Sequence, residues 1–271
     1  MIAYPFEAGG AMTRLLSAGP QSGEAMILLH GVGARADRWR NNVDAFAAAG
    51  FRVFAVDLPG HGFAWKGADF PYGVRGYADF VTSLMDELRS DRATLVGTSL
   101  GAHVAAKVAC MHPERVDGLI LVGAVGLVPM GSDARHRVQT ALADTSLEGI
   151  GAKLRWVIHD GSLVTDDWVM EEFAVNNSPG AKEAFERLGA YFGDHLDDDV
   201  VGEELAGLKG LIPILLVWGD QDRTVPIADG HRAAVLLDLE PIEVVPRTGH
   251  APYLERPEVF NELCLRFLAS R

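Results

Sequence analysis

Cysteine is scarce in this 271-residue chain, with Cys110 and Cys264 the only two. Each lies in an apolar helical pattern and neither belongs to a C-x-x-C or other metal-ligand spacing. Both therefore read as small buried hydrophobes, and a zinc site is not expected. Basic residues are also few: 24 Lys+Arg stand against 37 Asp+Glu, a formal net charge of −13. Nucleic acid and anionic membranes are held by basic patches, so this balance argues against both as main partners. No apolar run approaches the roughly 18 residues of a membrane span. The opening segment MIAYPFEAGG has no basic stretch leading into an apolar one, so it does not read as a secretory signal and the expected compartment is the cytoplasm. Internal repeats and low-complexity segments are absent as well.

What is present is an ordinary globular composition, 48% hydrophobic and 23% charged. At about 150 residues per domain the length allows one or two domains, ample for a core without disulfide or metal staples. Short apolar runs at 25–29, 52–56, 94–96, 119–122, 214–218 and 242–245 read as strands buried on both faces, the mark of a parallel sheet. Helical patterns at 40–49, 76–89, 100–111, 228–237 and 257–269 lie between them. This alternation predicts a doubly wound α/β domain, with an N-terminal hairpin around 8–10 adding antiparallel edge strands. The rhythm breaks over about 129–208, which is helical, charged and carries no convincing strand. The expected organisation is a core of 1–128 and 209–271 with a helical cap, 129–208, over the carboxyl edge of the sheet, where open α/β sheets bind ligands.

Three segments carry the chemistry. Gly97-Thr98-Ser99-Leu100-Gly101 follows the strand ATLV and opens the helix AHVAAKVA. That strand–turn–helix context is what a nucleophile elbow requires, with glycines permitting a turn tight enough to expose the Ser99 hydroxyl. A serine hydroxyl needs a base oriented by a third group. Of the nine histidines, His250 alone combines a loop, a neighbouring glycine and the last strand. His30 ends a strand, His61 sits in a Pro-Gly turn best read as structural, His103 lies on the elbow helix, and the others fall in the cap or on helical segments. The acid comes from the loop after ILLVW, where Asp220 and Asp222 compete; Asp222 is preferred because it lies deeper in the turn, stiffened by Pro226. For the oxyanion, the amide of Leu100 needs a second donor, and the loop His30-Gly31-Val32-Gly33 offers Val32, with Gly33 behind it. One such donor is typically worth ~3–4 kcal/mol in the transition state. Gly31, Gly33, Trp39, Asn41, Trp156 and Phe173 are candidates to line a substrate pocket, although for each aromatic a plain core role is an equal reading.

Taken together, HGVG at 30–33, DLPGHG at 57–62, GTSLG at 97–101, WGDQDRTVP at 218–226 and GHAPYLERP at 249–257 resemble the α/β-hydrolase superfamily over essentially the whole chain. The order Ser99, Asp222, His250 is the one expected of it. The resemblance implies an eight-stranded, mostly parallel sheet, a cap inserted after the sixth strand, no metal and no organic cofactor, and leaves a homodimer open. The cap sequence SLEGIGAKLRWVIHDGSLVTDDWV and the run HGVGARADRWRN are most similar to the meta-cleavage-product hydrolases, which open carbon–carbon bonds in vinylogous diketones. Thr98, Ala251 and Glu172 depart from that pattern, standing where asparagine, tryptophan and a carboxylate-binding arginine are usual. A glutamate there would repel a dienoate. The expected function is therefore a cofactor-independent serine hydrolase of a small to medium acyl compound, an ester or lactone. Carbon–carbon cleavage of 2-hydroxy-6-oxo-dienoates is the alternative. A perhydrolase or haloperoxidase, or a non-catalytic ligand receptor, stands further off.

Overall fold

Strand sequences in which every residue is apolar need cover on both sides, and that requirement organises the molecule. The structure, a computed structural model, describes residues 1–239 and 241–271. Eight strands form one sheet in the order β1-β2-β4-β3-β5-β6-β7-β8: β1 (Ile2–Ala8), β2 (Ala11–Ala18), β3 (Ala25–Leu29), β4 (Arg52–Val56), β5 (Ala93–Thr98), β6 (Val116–Val122), β7 (Ile214–Gly219) and β8 (Glu243–Val245). β2 pairs antiparallel with both β1 and β4, and every other pairing is parallel. In β3 the two-residue side-chain period sends Ile27 and Leu29 to one face and Met26 and Leu28 to the other, and all four are buried. The first face is covered by α2 (Val74–Glu87), α3 (Leu100–Met111) and α9 (Ile227–Leu237), the second by α1 (Arg40–Ala48) and α11 (Pro257–Ala269).

Between β6 and β7 the chain leaves the sheet and runs through α4 (Ser132–Ala143), α5 (Leu147–Val157), α6 (Asp166–Asn176), α7 (Ala181–Asp194) and α8 (Gly202–Ala206), with no strand among the described residues. α5 and α6 open on Ser146 and Thr165, whose hydroxyls accept from the N–H of Gly149 and Trp168, so both helices start where the sequence places an N-cap. α4 packs on α7 and α5 on α6, making a helical cap. Leu142, Phe185 and Phe192 from it join the core on one face, and Ile150, Leu154 and Val169 join that on the other. A short helix, α10 (Pro252–Glu255), follows β8 and carries the chain from the histidine loop into α11. No described helix is long and apolar enough to cross a membrane.

Candidate active site

β5 runs straight into α3 with one residue between, and Ser99 absorbs the reversal at φ 53°, ψ −118°. Such a conformation costs a non-glycine residue about 1–3 kcal/mol and persists only where its surroundings enforce it. Here they do. A Cβ at Gly97 would stand 2.2 Å from the Gly101 carbonyl oxygen, and one at Gly101 would stand 2.3 Å from that of Leu29. Two glycines thus let the turn close against α3 and β3. The Ser99 N–H is fixed by the Val122 carbonyl at 3.0 Å. Leu100 begins α3, so its N–H has no intrahelical acceptor and forms part of the positive end of the helix dipole.

The glycine loop after β3 lies against the same serine. A Cβ on Gly31 would be 3.1 Å from Ser99 Cβ, and Gly31, Val32 and Gly33 all border the space above it. The buried His30 holds this loop: its Nδ1–H donates to the Gly31 carbonyl at 2.8 Å and its Nε2 accepts the Leu58 N–H at 2.9 Å. Burial pushes His30 down to about 4, which keeps the ring neutral and this bonding pattern intact. DLPGHG is a structural turn. Asp57 accepts from the N–H of Ala36 and Phe63 and pairs with Arg14, and His61 bonds the Pro59 carbonyl at 3.1 Å.

His250 Nδ1 lies 2.7 Å from Asp222 Oδ2, and Asp222 Oδ1 accepts the N–H groups of Thr224 (2.8 Å) and Val225 (2.9 Å). The competing Asp220 faces elsewhere, its Oδ1 accepting from the Arg247 N–H at 2.7 Å and supporting the loop before His250. Gly123 makes room for the pair, since a Cβ there would come within 2.9 Å of His250 Nδ1 and 3.1 Å of Asp222 Oδ2. His250 Nε2 is buried without a protein partner, and His250 borders the same cavity as Ser99. Glu255 adds a support that the sequence reading missed. Its two oxygens accept from Gly249 N–H (2.7 Å) on one side and from His159 and Asp160 N–H (2.8 and 3.0 Å) on the other, tying the histidine loop to the end of α5.

The cavity holds about 950 Å³, lies between the strand ends and the cap, and is walled mostly by apolar side chains such as Val125, Leu142, Ile150, Phe185 and Phe192. Trp156 borders it, half-exposed at its rim with Arg223 stacked 5.6 Å from the ring centroid. Three expected lining residues do not reach it. Trp39 is fully buried behind Tyr253, stacked at 4.0 Å, and it is Tyr253 that borders the cavity. Asn41 is exposed on α1, while its neighbour Asn42 turns inward to the Tyr253 carbonyl and Asn261. Phe173 packs into the apolar cluster beneath the sheet's second face. The helical period puts neighbours in sequence on different sides of α1 and α6, and the sequence pattern had not resolved which side faces the substrate.

Glu172 also behaves differently from expectation. It is 2% exposed, and its Oε1 receives Arg35 Nη1 at 2.7 Å, Arg38 Nη2 at 3.0 Å and Trp168 Nε1 at 3.2 Å. Two guanidinium groups on one carboxylate remove the repulsion that Glu172 would exert on an anion. The signal lay in Arg35 and Arg38 themselves, two cations placed just after the glycine loop.

A strained serine at a strand-to-helix turn, a histidine–aspartate pair on the loops after β7 and β8, and a helical cap define an α/β-hydrolase. A model of the alpha/beta hydrolase family matches residues 26–263, and the chain belongs to that family. It is 33% identical over 258 residues to a 2-hydroxy-6-oxononadienedioate/2-hydroxy-6-oxononatrienedioate hydrolase of Burkholderia vietnamiensis, covering 90% of this chain and 87% of that one. It is 34% identical over 259 residues to a 2-hydroxy-6-oxo-6-phenylhexa-2,4-dienoate hydrolase of Burkholderia cepacia, covering 92% and 88%. Among solved structures it resembles a meta-cleavage product hydrolase from Pseudomonas fluorescens IP01, with TM-score 0.87 and 27% identity over 98% of this chain and 97% of that one.

Proposed function

We propose that this hydrolase cleaves a carbon–carbon bond in a meta-cleavage product, a 2-hydroxy-6-oxo-dienoate. The ester or lactone favoured on sequence grounds rested on the charge of Glu172, and its two arginine partners remove that objection. Two relatives covering nine-tenths of the chain are named as hydrolases of 2-hydroxy-6-oxo dienoic acids, and a similar solved structure as a meta-cleavage product hydrolase. The observation that carries the reading is the cavity. It is large and apolar enough for a conjugated chain, and its charged wall residues are Arg38, Arg137, Lys153 and Arg223 against Asp133, Asp144 and Glu172. A cationic excess there, in a chain of net charge −13, favours an anionic substrate.

In the proposed sequence Ser99 Oγ adds to the ketone carbon while its proton passes to His250 Nε2, and Asp222 stabilises the imidazolium. The amides of Val32 and Leu100 hold the oxyanion. For the bond to break, the 2-hydroxyl proton must have moved to C5, giving the vinylogous diketone. The C5–C6 electron pair then passes through C4 and C3 to the C2 carbonyl, and the enolate oxygen so formed takes the proton from His250. Water, deprotonated by His250, adds to the acyl-serine and releases the carboxylic acid and Ser99.

The test is the ratio of kcat/KM for a 6-phenyl-substituted 2-hydroxy-6-oxo-dienoate to that for p-nitrophenyl butyrate. A ratio well above one is expected. A ratio far below one would make the protein an esterase. Failure of Ser99 to react with a fluorophosphonate in the folded protein would remove the serine mechanism altogether.

A further inference from the structure

Two cations of the cavity wall lie near Glu172. Arg38 and Lys153 both border the cavity beside Glu172, and Arg35 approaches Glu172 from behind the wall. Arg35 is occupied on every side, pairing with Asp37 (2.8 Å), Glu171 (2.8 Å) and Glu172 (2.7 Å). Arg38 is placed differently. Its guanidinium carbon sits over the Trp168 ring, 4.2 Å from the ring centroid, and its Nη2 makes an ion pair with Glu172. A guanidinium has five N–H donors, more than one ion pair to Glu172 uses, so donors remain for a further carboxylate. Glu172 cannot neutralise Arg38 fully, because the same oxygen also serves Arg35 and the Trp168 N–H. Lys153 adds a third cation near Glu172; burial lowers its pKa, with Asp144 and Glu172 opposing that shift.

We propose that Arg38 is the specificity-determining residue that receives the substrate's carboxylate, with Trp168 and Glu172 holding its guanidinium in place and Lys153 reinforcing the field. This rests on the carbon–carbon hydrolase reading, and it transfers anion recognition from the cap to the core. Arg38 belongs to the turn Ala36–Trp39, which continues directly from the glycine loop at 31–33. One short segment would then address both the carboxylate and the developing oxyanion, which sets which carbonyl meets Ser99.

The competing account makes Arg38 a latch between core and cap with no contact to substrate. Calorimetric binding of hexa-2,4-dienoate, compared with its neutral analogue hexa-2,4-dienamide, separates the two without requiring turnover. Wild-type protein is expected to prefer the acid. Arg38→Gln is expected to lose about 10- to 100-fold of that preference, the usual range for a hydrogen-bonded charge, and Arg38→Lys to recover part of it. Equal weakening of both ligands, a preference that survives Arg38→Gln within threefold, or no preference in the wild type would each overturn the proposal. If Arg38→Gln fails to show a cooperative melt, Arg38→Lys decides, with at least a fivefold loss of preference supporting the assignment and none refuting it. A wild type that prefers the acid yet does not cleave a 2-hydroxy-6-oxo-dienoate refutes the reaction assigned above and leaves Arg38 as an anion site. Cleavage that proceeds with Arg38→Gln unaffected refutes Arg38 alone.

Discussion

Replacing Asp222 with asparagine isolates what the carboxylate does for His250. Oδ1 is committed to the N–H groups of Thr224 and Val225 at 2.8 and 2.9 Å, and Oδ2 faces His250 Nδ1 at 2.7 Å. Asparagine can satisfy the two backbone donors only with its carbonyl oxygen, which drives its NH2 group onto Nδ1. Nδ1 must then accept, the ring proton moves to Nε2, and Nε2 can no longer take the Ser99 proton. The imidazolium formed during turnover also loses its anionic partner. In a serine triad this exchange costs about 10⁴ in kcat, or about 5 kcal/mol at 1.36 kcal/mol per tenfold. The fold should suffer little, because both turn bonds survive and one charge-assisted bond becomes a neutral one. That loss is about 1.5–3 kcal/mol, or a Tm lower by roughly 3–12 °C at this size. Asp220→Asn is the matched control. Its Oδ1 accepts the Arg247 N–H at 2.7 Å, which an asparagine carbonyl can do equally well, so kcat should stay within tenfold. Steady-state hydrolysis of p-nitrophenyl butyrate and a thermal melt on both variants are sufficient. Asp222→Asn with kcat within tenfold of wild type, or Asp220→Asn as the more damaging change, would refute the assignment.

Other predictions follow from the same contacts. Gly101→Ala places a methyl 2.3 Å from the Leu29 and 2.7 Å from the His30 carbonyl oxygens, backbone atoms that cannot step aside. Overpacking of this kind costs about 1–3 kcal/mol, and the displaced elbow should lower kcat by about 10²-fold, measurable beside the melt; a silent change would mean the elbow is not packed as described. Glu255→Gln leaves one acceptor for the Gly249 and His159/Asp160 N–H groups, so the histidine loop should loosen. An order-of-magnitude fall in kcat and in the rate of fluorophosphonate inactivation, with KM little changed, is expected of such a positioning residue. Acid stability should be governed by three buried histidines: His30 and His103 are pushed down to about 4 and His61 to about 3, in each case mainly by burial. The unfolded chain binds these protons from pH 6.5 downward while the folded chain does not, so stability present above pH 6.5 is lost as pH falls toward 4. The slope approaches three protons, about 4 kcal/mol per pH unit, and urea titrations between pH 7 and 5 that show no such fall would count against the buried, neutral state of these rings.

By itself the sequence determined the sheet. The runs at 25–29 and 52–56 coincide with β3 and β4, because four or five consecutive apolar residues between polar turns are too short for a buried helix and fit a strand covered on both faces. It also determined the elbow, where two glycines around Ser99 are demanded by contacts made within a few residues and across one neighbouring strand. The sequence favoured Asp222 over Asp220 on its place in the turn, and the tertiary structure shows why: the loop turns the two carboxylates toward different partners, His250 for Asp222 and the Arg247 amide for Asp220. Tertiary structure alone decided that Trp39 packs behind Tyr253 and that Asn42 turns inward where Asn41 does not. Above all it decided the charge of the cavity. A glutamate read in sequence is an isolated negative charge. The arginine that bonds it lies 137 residues away on another part of the fold, and Coulomb energy depends on distance through space and on burial, neither of which the order of residues reveals.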